Sequence, residues 1–314
     1  MRVDVYTRMV ADDDNGLLPR LSEKDDYIQV FGRDELWEPA IKTICERHGI
    51  STHRLERAGL GTHVVFRSEG HIVKLFSPFW GESHAVELAC LTGLSDLPVP
   101  RIDHVGALEG WPYLILSVVD GVPTRLVWHK LTDHEKKSVM VELGAFIRRL
   151  HDHPVIEGVP SFWRSFLEER ISNLSDHHGL IGDWERWALS HVKPLVSRPQ
   201  KSVVLNCDLT RDHVFVVRRN GEWRLSGVID FGDAMIGHPY YEFTAPILDH
   251  AFGDSTLAAA LMSGYGELLT ERVKDELTRY FLVHLYWRLN ELPANLLERS
   301  PEDYAAMVWG PIPR

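Results

Sequence analysis

Two aspartates with a histidine between them carry the clearest chemistry in this chain. Asp208 sits in VLNCDLTRDHVFV (Val204–Val216), Asp230 in LSGVIDFGDAMIG (Leu225–Gly237), and His213 lies between the two. Both carboxylates stand at the ends of apolar runs. Burying a carboxylate beside Val, Leu, Phe and Ile is costly unless something pairs with it. The usual partner of such a pair is a divalent cation. The string reads as strand, tight polar loop, strand, turn, strand, with Asp230 placed 22 positions after Asp208. An ordinary hairpin with Asp and Gly in its turns gives the same local string, so the weight falls on residues elsewhere.

The layout is also that of a kinase catalytic site: an Asp that receives a hydroxyl proton, a metal position five residues on, and a second Asp in a D-F-G turn. Kinase-like enzymes of small molecules usually carry H-x-D-x-x-x-x-N; here Asn206 stands at the His position and His213 at the Asn position. Asp208 would orient the acceptor hydroxyl and take its proton. Asp230 would hold Mg²⁺. Mg²⁺ prefers oxygen to an imidazole nitrogen, so His213 would ligate through a neutral ring, hold a metal-bound water, or simply pack.

Lys74 lies in HIVKLF, within an apolar strand. A lone strand lysine is usually an edge or snorkelling residue. The acidic helix ESHAVELACL follows it, and Glu87, which leads the face of Leu88 and Leu91, would hold Lys74 toward nucleotide phosphates; Glu82 is the alternative partner. AGLGTHVVF (Ala58–Phe66) brings Gly59 and Gly61, whose backbone N–H groups suit either phosphate cover or a plain turn. WPYLILSVVDG (Trp111–Gly121) would be the hinge, where backbone groups of Ser117 and Val119 meet an adenine ring; an ordinary buried strand has the same string.

Glu242 would brace the catalytic loop, through Arg211. Asp233 would face substrate amines or cap the turn. Glu242, Glu168, Glu169 and Asp249 join Asp233 as acidic residues able to neutralise a cationic substrate. HDH (His151–His153) and DHH (Asp176–His178) look like metal clusters, but their spacing does not fit a zinc site.

The elements that must position these groups follow from periodicity. Residues 1–30 are polar and read as irregular. Asp34–His48 has helical apolar spacing. Arg54–Gly59, Thr62–Arg67 and His71–Phe76 read as a small antiparallel sheet. A helix over Glu82–Leu94 and a strand over Trp111–Val118 complete an N-terminal lobe of residues 1–120. Asp120-Gly121-Val122-Pro123 is the boundary turn. Residues 121–314 form a mainly helical lobe: Thr132–His153 with Thr132 and Glu135 in capping-box spacing, then Phe162–Leu174, Trp184–Val196, Tyr240–His250, Ser255–Tyr265, Thr270–Leu289 and Asp303–Val308. The fold class expected is α+β, a bilobal arrangement with a small β-rich N-lobe and a larger mainly helical C-lobe. A cleft between two such lobes is a natural nucleotide site.

Composition narrows the partners. The 314 residues are 44% hydrophobic and 25% charged, ordinary for a soluble enzyme. No run approaches the length needed to cross a bilayer, and no secretory leader is visible. A formal charge of −11 argues against nucleic acid and permits a polycationic substrate. Cys45, Cys90 and Cys207 lack metal-like spacing and cannot all pair, which points to a reducing cytoplasm.

At this point the chain resembles the aminoglycoside phosphotransferase family, of protein-kinase-like fold, from about Tyr27 to the C-terminus. Within that family it resembles the hygromycin B 7''-O-phosphotransferases. The residues behind that likeness are Leu36-Trp37-Glu38-Pro39, VKLFSPFWGES (Val73–Ser83), PVPRI (Pro98–Ile102), LHDHP (Leu150–Pro154) and PEDYAAMVWGP (Pro301–Pro311). The resemblance implies phosphorylation of an antibiotic hydroxyl with ATP or GTP and Mg²⁺ as cofactors. It makes Asp208 the base, Asp230 and His213 the metal positions, and Lys74 the phosphate-binding lysine. A kinase of a macrolide, amino alcohol or sugar on the same scaffold, or a nucleotide-binding pseudokinase, are the competing expectations. Either a monomer or a homodimer is compatible with the sequence.

Overall fold

The computed structural model describes residues 16–59, 61–197, 201–289 and 300–310. The chain divides into two compact units. One runs to Ser95 and resumes over Val99–Val119; the other takes Asp96–Pro98 and the chain from Asp120 onward.

The first unit contains α1 (Lys24–Val30), α2 (Asp34–Arg47), β1 (Glu56–Arg57), β2 (Val64–Ser68), β3 (His71–Leu75), α3 (Ser83–Gly93), β4 (Ile102–Leu108) and β5 (Trp111–Ser117). The five strands form one antiparallel sheet in the order β1-β2-β3-β5-β4. β5 lies between two neighbours, which suits its apolar run Tyr113–Leu116. Residues 16–30 are not irregular throughout. Asp26 accepts hydrogen bonds from the Ser22 and Glu23 amides and so starts α1, and the Leu17 amide donates to Glu109. Tyr27 then enters a buried aromatic group with Trp37 and Trp111, their ring centroids 5.7 to 5.9 Å apart. β4 escapes periodicity because a register shift between Ile102 and His104 breaks the alternation.

The second unit contains β6 (Val122–Pro123), α4 (Thr124–Val127), α5 (Asp133–Asp152), α6 (Trp163–Ser172), α7 (Leu174–His178), α8 (Gly182–Val192), β7 (Val203–Leu205), β8 (Val214–Arg219), β9 (Glu222–Val228), β10 (Met235–Gly237), α9 (Thr244–His250), α10 (Ser255–Tyr265), α11 (Glu271–Leu282) and α12 (Pro301–Trp309). The capping box of α5 is formed: Thr132 Oγ1 accepts the Glu135 amide at 3.2 Å, and Glu135 Oε2 accepts the Thr132 amide at 2.9 Å. The buried stripe Val139, Leu143, Phe146, Ile147 and Leu150 faces the core. α11 stops at Leu282, well short of the Leu289 expected from periodicity.

Two antiparallel pairings set the frame of the chemistry. β8 pairs with β9, and β7 pairs with β10. The segment 206–213 therefore leaves β7 and enters β8, while the D-F-G turn leaves β9 and enters β10. β10 is only three residues long and carries no alternation, so periodicity does not reveal it.

α5 and α10 cross at glycines. A Cβ on Gly144 would lie 2.0 Å from the Leu261 carbonyl oxygen, and one on Gly264 would lie 2.0 Å from that of Val141. Backbone meets backbone there, so no rotamer can relieve a clash. Gly144→Ala is expected to lower stability by about 1–3 kcal/mol, read as a fall in the urea midpoint; an unchanged midpoint would refute the close crossing.

Buried histidines add a pH dependence. Burial pushes His84, His178 and His250 down to about 4 and His284 down to about 3. The unfolded chain binds these protons near pH 6.5 and the folded chain does not. The contribution of these four groups is thus full above about 6.5 and falls as pH drops toward 4, by about 1.4 kcal/mol per pH unit for each group in that window. Urea midpoints measured between pH 7.5 and 4.5 test this, and a flat profile would contradict it.

Candidate active site

The loop that carries Asp208 is fixed by a buried carboxylate beneath it. Glu242, in the 3₁₀ turn Pro239–Phe243, is 1% exposed. Its Oε2 accepts the Asn206 amide at 2.7 Å and its Oε1 accepts the Cys207 amide at 3.1 Å. The brace is direct and does not run through Arg211. Arg211 instead donates from its amide and its guanidinium to Asp249, at 2.6 and 2.8 Å. Of the acids expected to face substrate, two are committed to this loop: Glu242 by its buried bonds to the Asn206 and Cys207 amides, and Asp249 by its ion pair with Arg211.

Asn206 joins the two halves of the site. Its Nδ2 donates to the Asp230 carbonyl at 2.7 Å, and its Oδ1 accepts the Asp208 amide at 3.0 Å. Cys207 and Asp230 both take left-handed backbone conformations, at φ of 75° and 62°. Such residues persist where surrounding bonds over-determine them, as the bonds from Glu242 and Asn206 do here.

His213 sits between the carboxylates. Its Nδ1 lies 3.2 Å from Asp208 Oδ2 and 2.8 Å from the Asp208 carbonyl; its Nε2 lies 3.7 Å from Asp230 Oδ2. Burial opposes a charge on the ring, but the hydrogen bond to Asp208 and the charges of Asp230 and Asp208 outweigh it and hold His213 at about 9. An imidazolium there neutralises both carboxylates. Asp208, His213 and Asp230 keep some solvent access, with side chains 22%, 20% and 37% exposed.

Burial, then the Asp233 charge and the hydrogen bond that the Tyr286 hydroxyl donates to Asp233, drive the Tyr286 phenol far up. Glu168 and Glu169 are exposed on α6, and Glu168 is bound to Arg164 rather than to the loop. Sequence reasoning missed Asn206 as a connector and His284 as a neighbour, whose Nε2 lies 3.2 Å from the Cys207 carbonyl. A Gln- or His-like signal would not have found them, because backbone atoms are their partners.

In the first unit, Lys74 Nζ lies 2.6 Å from Glu87 Oε2, and both side chains are buried. Glu82, the alternative, is exposed ahead of α3. Gly59 has φ of 108° and Gly61 faces open space. The Ser117 amide donates to the Arg101 carbonyl at 2.9 Å, and the Ser117 hydroxyl accepts the Arg101 amide. That amide is therefore engaged within the sheet region rather than offered to a ring. Val119 closes the unit, half-buried.

HDH and DHH are structural. His151 Nδ1 lies 3.0 Å from the Tyr265 hydroxyl, and its Nε2 lies 3.7 Å from Glu242. His178 bonds backbone groups after α11. Among the described residues no helix is long and apolar enough to cross a membrane. The three cysteines are free and buried.

The fold is that of the kinase-like phosphotransferases that act on hydroxyl groups. The phosphotransferase enzyme family model matches residues 54–277, and the chain belongs to that family. The GDP complex of aminoglycoside 2'-phosphotransferase-IIIa matches with a TM-score of 0.66 at 19% identity, over 77% of this chain and 87% of that one. The streptomycin–ATP–APH(2")-IIa ternary complex gives 0.57 at 18%, over 86% and 97%. APH(3'')-Id from Streptomyces rimosus ATCC10970, in complex with ADP and streptomycin, gives 0.56 at 16%, over 79% and 99%. At these identities the likeness is one of fold.

Glu242→Ala removes both acceptors and leaves two buried amides unpaired, at roughly 1–3 kcal/mol each. The expected result is a lower melting temperature and faster amide exchange at Asn206 and Cys207. Glu242→Gln keeps one carbonyl acceptor and should lie between that variant and the parent. Native exchange in Glu242→Ala would sink the brace.

Proposed function

We propose that this protein transfers the γ-phosphoryl group of ATP or GTP to a hydroxyl of an aminoglycoside, with hygromycin B the leading substrate. The observation that carries it is the loop geometry: Asp208 and Asp230 are held on either side of His213 by the Glu242 and Asn206 bonds. Similar folds solved in complex with GDP and kanamycin, with ATP and streptomycin, and with ADP and streptomycin support the nucleotide and the substrate class. The Trp-Glu-Pro and Trp-Gly-Pro pieces support hygromycin B within that class.

Asp208 orients the acceptor hydroxyl and receives its proton as the P–O bond forms. A positioned carboxylate suits this role because phosphoryl transfer is loose and its proton leaves late. Lys74, held by Glu87, is the cation for the nucleotide phosphates, and the Gly59–Gly61 segment is their backbone cover.

The residues fit Mg²⁺. That ion takes one or two carboxylates and completes its shell with waters and phosphate oxygens, not with an all-protein cage. Asp230 would supply the carboxylate, and His213, whose Nε2 stands beside it, would have to give up its proton to join the ion. Among the described residues, no group of three or more His, Cys, Asp or Glu side chains forms a cage. Bound there, Mg²⁺ supplies neutralisation of the phosphate charge. Asp233, beside Tyr286, is the remaining acid for a substrate amine. A cytoplasmic setting accords with three free thiols.

The test is phosphate transfer from ATP and GTP, with Mg²⁺, to hygromycin B, other aminoglycosides and a macrolide. Mass spectrometry should find one added phosphoryl group on hygromycin B. Asp208→Asn should lower kcat by about 10²–10⁴-fold with the fold intact. Nucleotide binding without product on any acceptor would reject the assignment in favour of a pseudokinase; a product on the macrolide alone would reject the aminoglycoside.

A further inference from the structure

The segment after α11 leaves its helix and is tied down by side chains at almost every residue. His178 Nε2 donates to the Leu282 carbonyl at 2.7 Å, and His178 Nδ1 accepts the Leu289 amide at 3.2 Å. Arg170 donates to the carbonyls of Val283 and His284, at 3.3 and 2.8 Å. The Tyr241 hydroxyl accepts the Leu285 amide at 3.1 Å, and His177 Nε2 lies 3.2 Å from the Trp287 carbonyl. The DHH triplet, which fits no metal site, thus serves to hold this segment.

The segment reaches the base loop from there. His284 Nδ1 accepts the Tyr286 amide at 3.3 Å. That leaves the ring proton on Nε2, which donates to the Cys207 carbonyl at 3.2 Å. The Tyr241 ring stacks on His284 with centroids 4.9 Å apart and planes 17° apart. Tyr286 meanwhile hydrogen-bonds Asp233. Cys207 is the left-handed residue immediately before Asp208, so rotation of the 207–208 peptide would turn the Asp208 carboxylate. Glu242 holds one face of this turn by its amides, and His284 holds the carbonyl.

We propose that residues 282–289 are a strap that locks the base loop, with His284 a positioning residue for Asp208. His284 is 1% exposed and acts through Cys207 rather than on substrate. The strap lies beyond the segment matched by the family model, which ends at residue 277. The consequence for turnover rests on Asp208 being the base; the mechanical claim does not.

The full chain is compared with His284→Leu, His284→Gln and Tyr241→Phe. Gln retains an amide donor for the Cys207 carbonyl; Phe removes the Leu285 acceptor at nearly constant shape. His284→Leu should speed amide exchange across 204–213 and lower kcat by up to about 100-fold, with nucleotide KM moving much less. His284→Gln should recover part of both, and Tyr241→Phe should shift exchange the same way by a smaller factor. Should His284→Leu fail to fold, His284→Gln and Tyr241→Phe carry the comparison. Native loop exchange in the variants that fold would overturn the strap. So would equal losses in His284→Leu and His284→Gln that follow melting temperature alone, since packing would then suffice. Absence of transfer by the parent on every acceptor would reject Asp208 as base, while the exchange data still decide the strap.

Discussion

The Asp208 loop depends on one buried carboxylate. Glu242 sits at 1% exposure, where an ionised acid without partners is strongly unfavourable. Two backbone amides, at 2.7 and 3.1 Å, compensate it through charge-assisted bonds. The exchange works in both directions. A loop that turns its amides inward at Asn206 and Cys207 needs an acceptor there, and few side chains other than a carboxylate can serve two donors at once. His151, oriented by Tyr265, adds an imidazole 3.7 Å from the same Oε2 that accepts the Asn206 amide. The crossing of α5 and α10 at Gly144 and Gly264 brings His151 and Tyr265 within reach of each other. Helix packing is thereby linked to the position of Asp208, the proposed base.

From that point the geometry propagates through short bonds. The Asn206 amide is held by Glu242, which fixes the direction of its side chain. That side chain then spans the Asp230 carbonyl and the Asp208 amide. The β7–β10 and β8–β9 pairings bring the ends of the two turns together, so the remaining error is one of local rotation. Left-handed Cys207 and Asp230 absorb that rotation at a cost of about 1–3 kcal/mol each. Phosphoryl transfer rewards this investment, because its catalysis is mostly positioning and electrostatics.

Much of this was legible in the sequence, and the illegible part has a common cause. Asp208, Asp230, His213 and the Lys74–Glu87 pairing follow from residue type and spacing. The Thr132–Glu135 cap and the helix of Ser255–Tyr265 follow from local rules that act within one turn. β4, β10, α1 and the end of α11 do not. β4 hides behind a bulge, and β10 is three residues whose only signature is its partner β7. α1 starts from an acidic cap in a stretch whose polarity suggested disorder of pattern. α11 ends at Leu282 because Arg170 and His178, over a hundred positions earlier, take the carbonyls and an amide of the chain that follows. Side chains that bond distant backbone leave no periodicity. The same holds for Glu242, whose role in the sequence reading ran through Arg211, and for Ser117, whose amide is taken by Arg101.

The residue types around Asp208 are the point where family pattern and physics meet. Kinase-like small-molecule enzymes usually carry H-x-D-x-x-x-x-N; this chain carries Asn206 and His213 at the first and last of those positions. An amide can donate and accept at once from adjacent atoms, so Asn206 bonds the Asp230 carbonyl and the Asp208 amide together. An imidazole at 206 would have to do so from nitrogens on different sides of a ring. At 213 the demand is different. The position lies between two carboxylates, and a ring with one nitrogen toward each meets both, at 3.2 and 3.7 Å. A neutral amide there would neutralise neither. Asn206 thus ties the two loops together while the ring at 213 stands between the two acids. The loop departs from the usual pattern and still holds Asp208 and Asp230 in place.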